Sequence, residues 1–223
     1  MDLTNPESSQ VIYDVPIFFK VYKNGLIERY RKHDFAPPSN NSVTGVRSKD
    51  IVIVPENNVT VRLYLPKITQ NDQKFPLLVY FHGGGFVIES AFSTYYDSYL
   101  HSVAAETNVI AVSIEYRLAP EHKIPACYDD SWAVMKWVSQ GSEPWLKSYA
   151  DFSRVFLSVI PLHSHASSVT VFNGMNFSEW HEQMIVGNNI NNTIPQTENA
   201  KEYLKFVEEY FCSADYSRWY TSG

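Results

Sequence analysis

The sequence predicts an α/β fold over the first part of the chain, followed by a tail of different character. Two apolar runs, residues 77–81 and 108–114, have the length and composition of buried strands. Three glycines follow the first run directly, where the carboxyl end of a strand opens onto the crevice of an α/β sheet. After Leu157 the alternation of strand and helix patterns ends. We therefore divide the chain into an amino-terminal arm, a partial α/β domain and a tail, at residues 1–45, 46–158 and 159–223.

The same patterns place the other elements. The arm has helical character near residues 15–22 and a polar loop at residues 37–41. In the tail, residues 197–212 form an amphipathic helix pattern with apolar positions at helical spacing. Strands are expected near residues 50–55, 60–65, 77–82, 109–115 and 154–159, and helices near residues 95–107, 126–140 and 197–212.

The clearest chemical signal is His82-Gly83-Gly84-Gly85. Backbone N–H groups placed after a strand can stabilise the negative charge on a carbonyl oxygen during acyl transfer, and each donor contributes about 3–4 kcal/mol. Glycines let the backbone turn sharply and approach a ligand without a Cβ in the way. A tight turn without chemistry is the alternative. The G-x-S-x-G pattern that would carry a serine nucleophile does not occur in the 223 residues.

With its flanks, this motif resembles the plant carboxylesterases of the hormone-sensitive-lipase-like branch of α/β-hydrolases. The flanks are residues 115–122 (Glu-Tyr-Arg-Leu-Ala-Pro-Glu-His) and 129–138, and residues 13–25 and 45–50 look like the same group's amino-terminal cap. The resemblance covers about residues 10–157. The group includes carboxylesterases, a hydroxyisoflavanone dehydratase and the soluble gibberellin receptors, and a shared fold does not choose among these activities.

The resemblance implies roles for particular residues. Gly83 and Gly84 would supply two oxyanion N–H donors, and His82 and Gly85 would frame the loop, with His82 not acting as a catalytic base. Structural roles are implied for three further residues, which would tie the strand-to-helix connection together by buried polar contacts: Arg117, Glu121 and Asp129.

The resemblance ends where the family carries Gly-Asp-Ser-Ala-Gly. Residues 151–157 match the run into that strand, but no serine in residues 158–168 lies between glycines, and Pro161 falls about where the nucleophile would be. The family's acid and histidine lie further on, and about 65 residues follow Leu157. We expect an α/β-hydrolase fold truncated to the amino-terminal half of its sheet, no catalytic residues, and an open edge at the strand near 154–159 that favours aggregation.

The tail carries two further signals. His163 and His165, with Ser164 between them, suggest a substitute Ser-His pair or a metal site. No Cys, Asp or Glu lies close by to complete a ligand set, so we expect a polar loop and neither metal nor cofactor. Residues 171–183 and 192–211 resemble two pieces of the Gag polyprotein of copia-type retrotransposons. This second resemblance implies a hydrolase gene interrupted near its nucleophile codon by a decayed mobile element.

Composition limits the partners and the location. A net charge of −6 and a pI near 5.6 argue against a nucleic-acid-binding surface. Cys127 and Cys212 make no disulfide framework, the amino terminus does not read as a signal peptide, and no run of about 18 apolar residues is available to span a membrane. We expect a cytoplasmic location, with the nucleus as an alternative. The expected partner is a small-molecule ester or a hormone-like ligand, with no nucleic acid and no membrane.

Three functions stay open at this stage. The first is a protein related to carboxylic-ester hydrolases that keeps the glycine motif but is inactive as given. The second is a small-ligand binding module similar to the gibberellin receptors. The third is a non-functional chimeric gene product.

Overall fold

The structure, a computed structural model, describes residues 10–159 and 168–172. The amino-terminal arm forms a three-stranded antiparallel sheet in the order β1-β2-β3, made of β1 (Val11–Val15), β2 (Phe19–Tyr22) and β3 (Ile27–Arg29). The prediction of helical character near residues 15–22 is therefore wrong. In β2 the more deeply buried residues alternate with less buried ones, which is the period of a strand. Gly25, with a φ of +82°, makes the turn into β3.

The main sheet has six strands in the order β4-β5-β7-β6-β8-β9. They are β4 (Arg47–Val54), β5 (Val59–Leu65), β6 (Phe75–Phe81), β7 (Ile110–Glu115), β8 (Ala150–Val159) and β9 (Ser168–Phe172). The helices are α1 (Thr94–Thr107), α2 (Ala126–Gln140) and α3 (Pro144–Tyr149), and a 3-10 turn spans Pro55–Asn57. The predicted strands and helices between residues 50 and 159 are confirmed, apart from small differences at their ends.

The parallel centre of the sheet positions the loops that follow it. β6 is parallel to both β7 and β8, whereas β4, β5 and β9 pair antiparallel. Phe81 at the end of β6 lies opposite Ile114 of β7 and Val159 of β8. The segments after β6 and β7 therefore leave the same edge of the sheet side by side, as expected for an α/β ligand crevice.

The outer edge of β8 is paired, so the predicted open edge is wrong. β9 runs antiparallel to β8 from Val159↔Ser168 to Val155↔Phe172. Its sequence, Ser-Val-Thr-Val-Phe, is rich in the β-branched and aromatic residues that favour strands. This strand comes from the predicted tail. Several predictions lie outside the described residues. They are the helix at residues 197–212, the pair His163 and His165, and the Gag-like pieces apart from residues 171 and 172.

The helix termini show why these segments form helices. α1 begins after Ser93, whose hydroxyl accepts the N–H of Tyr96, and α2 ends at Gly141 in the left-handed conformation with a φ of +58°. The unpredicted helix α3 begins at a Glu143 carboxylate that accepts two backbone N–H groups and pairs with Lys49. Among the described residues, no helix is long and apolar enough to cross a membrane.

A buried ion-pair network joins the arm, the sheet and α1. Arg62 of β5 is 1% exposed. Its guanidinium donates to both carboxylate oxygens of Asp50, at 2.7 and 2.8 Å, to Asp97 of α1 at 3.0 Å and to the carbonyl of Ala36 at 2.8 Å. The hydroxyl of Tyr64 also donates to Asp97, at 3.0 Å. Since a buried charge must be paired, each of these groups depends on the others.

Candidate active site

A tight turn, which we call the glycine loop (residues 82–88), follows β6. The N–H groups of Val87 and Ile88 both donate to the carbonyl oxygen of Gly84, each at 3.1 Å. Gly84 and Gly85 have φ values of +114° and +62°. A Cβ on Gly84 would lie 2.1 Å from the carbonyl oxygen of Ile88, so only glycine fits there.

His82 is a buried and neutral residue at the start of this loop. Its ring stacks on that of Tyr116, with 4.1 Å between centroids and 7° between planes. Its Nδ1 lies 2.8 Å from the carbonyl oxygen of Gly83 and therefore carries the proton. Within the described residues its Nε2 has no hydrogen-bond partner. Burial lowers the pKa of His82 to about 4, so the ring is uncharged near neutral pH.

The two predicted oxyanion donors differ in availability. The Gly83 N–H donates to the hydroxyl oxygen of Tyr96, at 3.0 Å, and is therefore already used inside the protein. Tyr96 lies in the first turn of α1 and is 5% exposed. Within residues 10–159, the N–H groups of Gly84 and Gly85 make no hydrogen bond. Those two N–H groups are the ones left to bind an oxygen atom of a ligand.

Glu115 holds the segment that follows the glycine loop. It lies at the carboxyl end of β7, and its carboxylate accepts the hydroxyl of Ser90 at 2.8 Å and the N–H of Ala91 at 2.6 Å. Burial raises the pKa of Glu115 to about 7, although these two hydrogen bonds act in the opposite direction. Glu115 belongs to the 115–122 motif, but the motif alone did not single it out.

The residues predicted to tie the strand-to-helix connection together are placed as follows. The guanidinium of Arg117 forms a forked ion pair with Asp130, at 2.8 to 3.1 Å. Asp129 lies in the first turn of α2. Glu121 pairs with Arg29 of β3, which lies 92 residues earlier in the chain. Arg117 and Glu121 therefore each join separate elements, with partners that sequence spacing does not predict.

An open cleft lies beside Ser90 and Glu115, but no residue of the glycine loop lines it. The cleft measures about 590 Å³, and its lining includes Phe35, Arg62, Ser90, Phe92 and Glu115. Nowhere in the part of the chain that the structure describes do three or more His, Cys, Asp or Glu side chains come together as metal ligands.

Comparison with known proteins gives the fold family of this site. Residues 78–158, which include the glycine loop, match the family model for the alpha/beta hydrolase fold. Probable carboxylesterase 1 of Arabidopsis thaliana is 48% identical over 158 residues, which cover 67% of this chain and 50% of that protein. Residues 78–158 therefore carry an α/β-hydrolase fold related to plant carboxylesterases.

Other relatives carry the names of different reactions. The 2-hydroxyisoflavanone dehydratase of Glycyrrhiza echinata is 44% identical over 160 residues, covering 67% of this chain and 49% of that protein. Tabersonine synthase of Catharanthus roseus is 41% identical over 165 residues, covering 67% and 51%. The chain thus spans about half the length of the relatives it matches. Since an esterase, a dehydratase and a synthase match at similar identity, the similarity does not select a reaction.

Proposed function

We propose that the glycine loop of this carboxylesterase-related α/β-hydrolase binds the carbonyl or carboxylate oxygen of a small ester, acid or hormone-like ligand. The observation that carries this proposal is the pair of uncommitted N–H groups at Gly84 and Gly85. They lie at the edge of the sheet where β6, β7 and β8 all end. Backbone N–H groups held by positive-φ glycines form a concave site for a negatively charged oxygen.

We further propose that the chain as given does not hydrolyse esters through a serine nucleophile. The family match ends at residue 158, and no G-x-S-x-G pattern occurs in the 223 residues. Pro161, about where the nucleophile would be, has no hydroxyl that could attack an ester. A site that binds a ligand without turning it over follows from these two features.

Two measurements test the two parts separately. In the first, the protein is treated with diethyl p-nitrophenyl phosphate, which labels activated serines, and its intact mass is measured. We expect no adduct and no hydrolysis of p-nitrophenyl butyrate above the buffer rate. An adduct on any serine would show that a nucleophile is present after all.

In the second, ¹⁵N-labelled protein is titrated with butyrate, the acid that this ester would release. We expect saturable shifts of the Gly84 and Gly85 amide resonances, because their N–H groups would donate to the carboxylate. 1-Butanol, which has the same four-carbon chain but no carboxylate, is the matched control ligand. A panel of gibberellins, which also carry a carboxylate, tests the hormone-like alternative. Absence of any shift with butyrate and with the panel would favour a non-functional product.

A further inference from the structure

Arg29 connects the amino-terminal sheet to the glycine loop. It lies at the end of β3, and its Nε donates to the carbonyl oxygen of Val87 at 2.7 Å. The two residues are 58 positions apart in the chain. The side chain of Arg29 is 24% exposed, so this contact is largely shielded from water. A hydrogen bond from a charged donor in such a setting is stronger than one between neutral groups.

The position of Val87 makes this contact matter for the site. Val87 closes the turn on Gly84, because its N–H donates to the Gly84 carbonyl oxygen. Its own carbonyl is the group that Arg29 holds. Phe86, between Gly85 and Val87, has a φ of +64°, which is unfavourable for a bulky residue. A turn that contains such a residue needs outside contacts to keep its shape.

The other end of the guanidinium is anchored on the segment after β7. Nη1 and Nη2 form a forked pair with the carboxylate of Glu121, at 2.6 and 2.7 Å, and Nη2 also donates to the carbonyl of Ala119 at 3.1 Å. Burial alone would raise the pKa of Glu121, but the hydrogen bonds and the charge of Arg29, together with a backbone N–H hydrogen bond at Glu121, outweigh burial and lower the pKa. The Ala119 N–H donates in turn to the Phe86 carbonyl, at 2.8 Å. Arg29 therefore contacts both the glycine loop and the segment that follows β7.

We propose that Arg29 is the positioning residue of the glycine loop, so that the amino-terminal sheet sets the direction of the Gly84 and Gly85 N–H groups. This inference rests on the proposed function, because the direction of those N–H groups matters only if they bind a ligand oxygen. Arg29 itself does not touch the ligand. Its effect passes through the Val87 carbonyl.

The first test measures the loop without any ligand. Arg29→Ala and Arg29→Lys are compared by amide hydrogen exchange with the unchanged protein and with Arg154→Ala, which removes an exposed arginine paired with Asp151. We expect exchange at the Val87 and Ile88 amides to speed up about tenfold in Arg29→Ala, the effect of losing a charge-assisted hydrogen bond. Arg29→Lys should also be faster, because an ammonium cannot reproduce the fork. Amides of α2 should keep their exchange rates in all variants.

The second test measures binding. We expect butyrate to bind Arg29→Ala about tenfold more weakly than the unchanged protein, and Arg154→Ala equally well. Unchanged loop exchange in Arg29→Ala would overturn the inference, as would faster exchange everywhere in the protein. If the unchanged protein shows no butyrate response, the proposed function fails, whereas the exchange comparison still decides the role of Arg29.

Discussion

Replacing Glu115 by glutamine should change how the stability of this protein depends on pH. Burial raises the pKa of Glu115 from an ordinary value of 4.5 to about 7 in the folded protein. The folded chain therefore binds this proton more tightly than the unfolded chain does. The stabilisation is fully present below pH 4.5 and is lost as the pH rises to 7. Its size is about 3 kcal/mol, at roughly 1.4 kcal/mol for each pH unit.

The measurement is the free energy of unfolding from urea titrations at pH 4.5, 5.5, 6.5 and 7.5. The unchanged protein alone is not informative, because His82 acts in the opposite direction. Burial lowers its pKa from 6.5 to about 4, so stability is lost as the pH falls through that interval. The two contributions nearly cancel between about pH 4.5 and 6.5. Subtracting the unchanged protein from Glu115→Gln removes the His82 contribution and isolates Glu115.

We expect Glu115→Gln to gain about 3 kcal/mol relative to the unchanged protein between pH 4.5 and 7.5. The amide keeps an acceptor for the Ser90 hydroxyl and the Ala91 N–H but has no charge to bury. Glu106→Gln makes the same chemical change at an exposed position on α1 and is the matched control. A difference for Glu115→Gln that does not vary with pH would contradict a raised pKa for Glu115.

Three other substitutions test the rest of the site and its support. Arg62→Ala should destabilise the fold by about 3–5 kcal/mol in urea titrations, because it removes the guanidinium that pairs with the buried carboxylate of Asp97, whereas Arg154→Ala should change stability by less than about 1 kcal/mol. Tyr96→Phe should release the Gly83 N–H, so that its amide resonance responds to butyrate, and an unresponsive Gly83 would contradict its assignment. Gly84→Ala should abolish the butyrate response, because the new Cβ would collide with the backbone of the turn; retained binding would contradict that geometry.

The central strands could be predicted from the sequence because local pattern and burial agree there. Residues 77–81 and 109–112 are apolar throughout, and the parallel strands β6 and β7 to which they belong are buried. The prediction of helical character in the arm was wrong because the spacing of its apolar residues does not distinguish a helix from a strand. Only the turn at Gly25 clearly separates two strands. β9 was not predicted because a pattern of five residues is too short to identify a strand, and its pairing with β8 is a long-range contact that local sequence does not show.

The glycine loop could be predicted because its chemistry lies in consecutive residues, 82–85. The groups that support it could not, because they reach the loop from distant elements. Arg29 lies 58 residues before Val87, and Tyr96 meets Gly83 from the first turn of α1. The contact with Tyr96 also changes the site, because it occupies the Gly83 N–H and leaves the Gly84 N–H free for a ligand. The four adjacent motif residues do not show this difference.

The most direct test of the central claim is the butyrate titration followed at the backbone amides. We expect saturable shifts at Gly84 and Gly85, little change at Gly83 because its N–H donates to Tyr96, and no covalent labelling by diethyl p-nitrophenyl phosphate. Shifts confined to residues away from the glycine loop, or no shifts at all, would contradict the claim that this loop binds a carboxylate or carbonyl oxygen.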